Sequence, residues 1–217
     1  MYQPQHYTTL LNYLADSTWL TGDKKYNSER KEKLRQLPIY LTVADEIVSL
    51  DEENVYLPGE EYQPPEIVEN FRLLKLGVTR YEWLPLFKFL EIPILSRARL
   101  ITDCLLPEYP TLAYEEQLIV LSWIRDNLGN VQTDLELETE NQSFEVFKQE
   151  IKSARLVRCT DGRLRSIESI YSPEIEIIPQ IIGSQAAIPD MNFYSDKPGE
   201  WLDFFCGVRD EKNSDCG

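Results

Sequence analysis

The sequence predicts an α+β chain: mostly helical, with small antiparallel β-hairpins packed among the helices. Three observations carry this. Asp161-Gly162 stands between two strand-like runs, Arg155 to Cys159 and Arg163 to Ser166, and Asp-Gly is a strong hairpin signal because Gly accepts the positive φ of a primed turn. Tyr114 to Leu128 carries Leu118, Leu121, Ile124 and Leu128 as one apolar stripe at helical spacing. The third observation is repetition. Leu34 to Leu50 can be laid over Ile151 to Ile167, with Thr42 on Thr160 and Tyr56-Leu57-Pro58 near Tyr171-Ser172-Pro173. Phe71 to Val78 matches Trp201 to Val208 in the same order. Thr42 and Thr160 lie 118 residues apart and Gly77 and Gly207 lie 130 apart, a period of roughly 115–130 residues and so a domain-sized module.

The elements follow in order. Tyr7, Leu10, Leu11 and Leu14 predict a first helix, and the charged run Ser28 to Leu37 a second that leads to Pro38. The first hairpin spans Ile39 to Leu50, with Ala44-Asp45 at its turn. Asp51 to Pro65 reads as an acidic loop with an extended Tyr56-Leu57 segment. Glu66 to Leu76 reads as a helix ended by Gly77. Thr79 and Glu82 form a capping-box pattern opening a helix through Trp83, Phe87 and Leu90, with Pro85 in its first turns and Pro93 stopping it. Ser96 to Leu105 is expected to be helical up to Pro107, and the long helix from Tyr114 to stop at Gly129, before an acidic loop from Asn130 to Asn141. Ser143 caps a helix Phe144 to Ile151 that feeds the second hairpin, and Ser166 caps a short helical turn after it. The periodicity of the isoleucine cluster Ile175 to Ile182 fits helix or strand, with helix the favoured reading; Ser184 to Gly199 is read as mostly loop, and Trp201 to Gly207 as the last helix. The repeat divides the chain into an N-terminal helical segment, 1–33, a first module, 34–150, and the start of a second, 151–217.

The 217 residues suffice for one large or two small cores. A formal net charge of −15 disfavours nucleic acid and anionic membrane as partners. No run of apolar residues is long enough to span a bilayer, and the first residues lack a basic-then-apolar signal pattern. Both ends read as those of a segment cut from a longer chain. Cys104, Cys159, Cys206 and Cys216 show no short paired spacing, so neither a zinc site nor a disulfide framework is expected. Cys159 and Cys206 are expected to be free core thiols and Cys216 an exposed one, in a reducing, cytoplasmic setting.

The search for chemistry yields no catalytic, cofactor-binding or metal residue. His6 is the only histidine, which removes the usual Ser-His-Asp and Cys-His arrangements. Phosphate-loop glycine patterns are absent. The acid pairs Glu60-Glu61, Glu115-Glu116 and the run Asp51-Glu52-Glu53 sit at loops and helix starts, where capping and solubility explain them. Trp83, Trp123 and Trp201 are expected in the core, and Trp19 and Tyr62 at exposed contacts.

The segments LRQLPIYLTVADEIVSL and FKQEIKSARLVRCTDGRLRSIESIYSP resemble the recurring hairpin of the sacsin family, and FRLLKLGV, YEEQLIVLSWIRDNL and EWLDFFCGV resemble its helices in the same order. The resemblance implies a segment of the repeated regions of a very large cytoplasmic, chaperone-type protein that organises intermediate filaments, and whose loss causes a spastic ataxia. It implies neighbouring domains of the same chain, chaperones or cytoskeletal proteins as partners. The family's ATPase-like domain uses a Glu-x-x-x-Asn helix and an Asp-x-Gly-x-Gly loop. Here no Glu stands at that spacing before Asn127, and Asp161-Gly162-Arg163-Leu164 fails the Asp-x-Gly-x-Gly pattern. None of the family's nucleotide residues transfers, and the expected function is a non-catalytic scaffold or interaction segment. The alternatives are a regulatory module contacting an adjacent ATPase-like domain and an enzyme with an unrecognised site.

Overall fold

A computed structural model describes residues 4–16, 27–52, 54–59, 64–66, 70–77, 81–137, 143–171 and 187–209. The chain is α+β, predominantly helical, with small strand pairs set among the helices. It divides into two compact units, residues 1–63 with 68–96 and residues 64–67 with 97–217. This division follows compactness, whereas boundaries at 34 and 151 follow the repeat; one hairpin falls in each unit.

In the first unit, helices α1 (Pro4–Ala15) and α2 (Asn27–Arg35) precede a hairpin of β1 (Tyr40–Leu41) and β2 (Ile47–Val48). Strand β3 (Val55–Tyr56) pairs in parallel with β4 (Arg72–Leu73), and a short helix α3 (Leu84–Phe89) follows. Their core joins Leu11, Tyr40, Val48, Val55, Leu74, Trp83, Phe87 and Leu90. Trp83 Nε1 donates to Asn12 Oδ1 at 2.5 Å, so the indole's one polar atom is satisfied as its ring is buried. Arg35 donates from Nη1 to the Leu90 carbonyl at 2.8 Å and from Nη2 to the Leu50 carbonyl at 3.0 Å.

Two expectations fail in this unit. The described residues of the segment read as a helix from Glu66 to Leu76 include β4, not a helix. Both backbone edges of that strand are taken. Arg72 and Leu74 N–H donate to the Asn54 and Tyr56 carbonyls, and on the other side Lys75 N–H donates to Leu41 while Leu73 accepts from Val43 N–H. Two non-local ladders outweigh the helix propensity of the leucines. The capping-box reading fails too: α3 begins after Glu82, its N-cap is Trp83, and no side chain caps it. Thr79 lies outside the described residues. Pro85 does occupy the first turn, where its missing N–H is not needed.

In the second unit a helical run passes from Arg97–Arg99 through a π-helical stretch, Leu100–Leu105, to Leu106–Glu108 and a 3₁₀ turn, Tyr109–Thr111. Pro107 was expected to end the helix and instead lies inside the run. Leu106 N–H donates five residues back to Ile101, and the wide π turn places Pro107 where a new first turn begins.

Helix α4 (Tyr114–Leu137) continues through Gly129 and into the segment read as a loop. Val131 and Leu135 beyond the glycine are buried, and their burial carries the helix over its weak point. A Cβ built on Gly129 meets nothing within 4 Å. Gly129→Ala should therefore stabilise the protein by about 0.5–1 kcal/mol, read as a higher urea midpoint.

Helix α5 (Phe144–Ser153) is capped as expected, Ser143 Oγ accepting from Val146 N–H. Strands β5 (Arg155–Arg158) and β6 (Leu164–Ser166) form the second hairpin, followed by a 3₁₀ turn, Ile167–Ser169. Ser166 is its N-cap residue but makes no side-chain cap bond; its hydroxyl donates to Ser169 Oγ instead. Helix α6 (Pro198–Arg209) closes the described chain and buries Trp201, Phe204, Phe205 and Val208. The isoleucine cluster 175–182, Trp19 and Tyr62 lie outside the described residues. Of the tryptophans expected in the core, Trp83 and Trp201 are buried and Trp123 is half-buried.

Candidate functional site

The second hairpin starts from its turn. Cys159 N–H donates to the Arg163 carbonyl at 2.9 Å and Gly162 N–H to the Cys159 carbonyl at 2.8 Å. Gly162 alone of the turn has positive φ, at 76°. A primed turn would need positive φ at Asp161 as well. The turn is instead the three-residue kind, a type I turn closed by one left-handed residue. Asp161 Oδ1 accepts from Arg163 N–H at 3.0 Å and fixes it further.

The first hairpin uses the same pattern. Thr42 N–H donates to Glu46, Asp45 N–H donates to Thr42, and Asp45 has φ 63°. Asp45 and Gly162 lie 117 residues apart, so the turns superpose one residue away from the Thr42–Thr160 alignment.

Beneath β5 lies a buried polar network. Tyr109 Oη donates to the Leu156 carbonyl at 2.9 Å, and Gln117 Nε2 donates to the Tyr109 carbonyl at 3.2 Å. Arg158 Nη2 donates to Gln117 Oε1 at 2.7 Å, and Arg158 N–H to Tyr194 Oη at 2.9 Å. The Arg158 guanidinium lies over the rings of Tyr114 and Phe193, at 5.3 and 5.6 Å. Burial pushes the phenols of Tyr109 and Tyr194 above their ordinary range, so both stay protonated at neutral pH. On the side of β5 away from β6, Asp190 N–H donates to Arg158 and Thr160 N–H to Ile188. The hairpin is held from below and along one edge.

A cleft of about 600 Å³ lies along this hairpin. Arg155, Arg163 and Arg165 line it with Ser153, Ser166 and Ser169. Pro110 and Leu164 also line it, and among the described residues the lining contains no carboxylate and no aromatic ring. Arg155 stands opposite Ser166 in the strand register. Arg165 Nη2 donates to Asp161 Oδ2 at 2.8 Å, while its Nε is buried without a hydrogen-bond partner. The bond from Arg165, aided by that from Arg163 N–H, holds the Asp161 carboxyl below the usual carboxylate range. Among the described residues Arg155 and Arg163 have no ion pair, whereas Lys31, Arg72, Lys75, Arg97, Arg125 and Lys197 are each held by a carboxylate. The serine hydroxyls are engaged locally: Ser153 donates to the Glu150 carbonyl and Ser169 to the Ser166 carbonyl.

The remaining residues singled out in the sequence do not gather into a site. His6 is exposed on α1. Glu116 Oε2 accepts from Ala113 N–H at the start of α4, and Glu52 Oε1 accepts from Ser49 N–H; these are the local capping roles expected of the acid pairs. Glu53, Glu60 and Glu61 lie outside the described residues. No group of three metal-ligating side chains occurs among the described residues, and no helix among them is long and apolar enough to cross a membrane. Cys206, read as a free thiol, is disulfide-bonded. Cys159 is buried and free, and burial pushes its thiol up to about 11. Cys159 should thus resist iodoacetamide at pH 8 in the native protein and label fully in denaturant, as mass spectrometry of the digested protein would read.

The three cleft arginines were in plain view in the sequence, yet reading them together requires the hairpin register, which brings Arg155 level with Ser166. The chain matches no protein-family profile, no curated protein and no solved structure.

Proposed function

We propose that the chain is a non-catalytic interaction segment of a larger cytoplasmic scaffold, as the sacsin-family resemblance implies, and that it receives an acidic protein segment in the arginine-lined cleft. The observation that carries this reading is a local reversal of charge. A chain of net charge −15 lines one cleft with three arginines and, among the described residues, no carboxylate. Two of those arginines, Arg155 and Arg163, make no ion pair among the described residues, which leaves their planar donors available for oxygen anions. The shared turn of the two hairpins supports the repeat on which the resemblance rests. The partner is a neighbouring domain of the same protein or a separate protein, since long polyanions such as nucleic acid meet repulsion from the chain as a whole. In the cytoplasm the Cys206 disulfide is expected to be reduced.

Fluorescence anisotropy with a labelled glutamate-rich peptide and a lysine-rich twin tests the reading. The glutamate-rich peptide should bind, more weakly as salt rises, and a double Arg155→Glu, Arg163→Glu variant should lose it while keeping its circular dichroism spectrum. Binding of the lysine-rich peptide alone would overturn the proposal.

A further inference from the structure

The same cleft points to a narrower ligand, and this inference rests on the reading just given. We propose that the cleft is a phosphomonoester site, taking a phosphorylated side chain on a short peptide segment.

The local charge balance leads there. Three arginines line the cleft, and the guanidinium of one of them, Arg165, is partly met by Asp161. The balance is two positive charges, the charge of a phosphomonoester dianion. A single carboxylate would leave one of the two unmet. Guanidinium groups suit the ligand in shape as well as charge, because each offers two parallel N–H groups to two oxygens of one phosphate. Among the described residues the side chains of Arg155 and Arg163 make no ion pair, and Arg165 carries a buried Nε donor without a hydrogen-bond partner besides the Nη2 spent on Asp161.

What the cleft lacks narrows the class further. With no aromatic ring among the described residues of its lining, those residues offer no platform on which a nucleobase could stack. Its volume of about 600 Å³ exceeds that of a lone phosphate ion and leaves room for a few flanking atoms against Pro110 and Leu164. The overall charge of −15 repels an extended polyanion but scarcely affects a single compact dianion at close range, where the nearby arginines dominate.

Asp161 has a distinct role here. It occupies part of Arg165 in the free protein, so a bound phosphate competes with it. Asp161→Asn removes the competing charge while an amide oxygen can still accept from Arg163 N–H, the bond that shapes the turn.

The test uses the full chain and four probes in fluorescence anisotropy: a labelled neutral peptide carrying one phosphoserine, its serine twin, its glutamate twin, and inorganic phosphate as competitor. The phosphoserine peptide should bind at least about tenfold more tightly than either twin. Arg163→Gln and Arg155→Gln, at exposed positions, should each weaken it by about tenfold with an unchanged melting temperature. Asp161→Asn should tighten it by about two- to fivefold. If the glutamate and phosphoserine peptides bind equally, the phosphate assignment falls and the acidic-segment reading stands. If no acidic or phosphorylated probe binds, both fall. If inorganic phosphate binds as tightly as the phosphopeptide, the peptide part of the assignment is overturned and the ligand is a small phosphate. Asp161→Asn binding more weakly than the parent would also overturn the geometry.

Discussion

Replacing Trp201 with alanine is expected to cost about 3–5 kcal/mol, enough to leave the second unit largely unfolded in mild urea. The indole is fully buried on α6. It stacks against Phe205 with ring centroids 6.2 Å apart and lies 5.2 Å from Tyr194. The Arg125 guanidinium sits over its face at 4.2 Å, and its Nε1 donates to Asp196 Oδ1 at 3.0 Å. Alanine removes all of these at once and leaves a cavity among rigid rings that cannot collapse to fill it. Trp201→Phe separates the contributions. It retains ring packing and loses the indole hydrogen bond, so its cost should be less than half that of alanine. Urea titration followed by far-UV circular dichroism reads both. Equal losses for the two variants would show that the hydrogen bond to Asp196, and not the ring volume, carries the effect.

Gly59→Ala should cost about 1–3 kcal/mol, although the residue is exposed. A Cβ there would run into the Leu95 carbonyl oxygen. That carbonyl belongs to a chain segment already pinned nearby, since Leu95 N–H donates to the Leu57 carbonyl and Leu57 N–H to Pro93. The added methyl can be accommodated only by parting these two backbones. Gly129→Ala, the same substitution at a glycine with open space around it, is the contrasting control: one should lower the urea midpoint and the other raise it. A Gly59→Ala protein as stable as its parent would show that the segment yields freely.

What could be read in advance divides along locality. The Ser143 cap, the first helix, the Asp161-Gly162 turn and the Trp201 helix rest on neighbouring residues, and the structure contains each. The errors arose where distant chain decides. Arg72 to Leu76 is rich in leucine and looks helical alone, but β1 and β3 take up its backbone groups from either side. Gly129 looks like a helix stop until Val131 and Leu135 are found buried beyond it. Pro107 looks like another, because no local pattern announces the π turn before it. The cleft was legible only in part. Its residue types were visible, but their assembly into one lining depends on the pairing of β5 with β6 and on the placement of Pro110 nearby.

Arg35 has a kinetic consequence. Its side chain holds the carbonyls of Leu50 and Leu90, while its own carbonyl accepts from Leu50 N–H at 2.7 Å. The end of α2, the end of the first hairpin and the end of α3 therefore share one fastening. None of the three can fray alone without releasing the others, so small local openings are suppressed in favour of a concerted one. In native-state hydrogen exchange the Leu50 amide should exchange among the slowest of its unit. With Arg35→Met it should exchange much faster while the amides of α1 change little, marking where a cooperative block has been divided into separately opening parts.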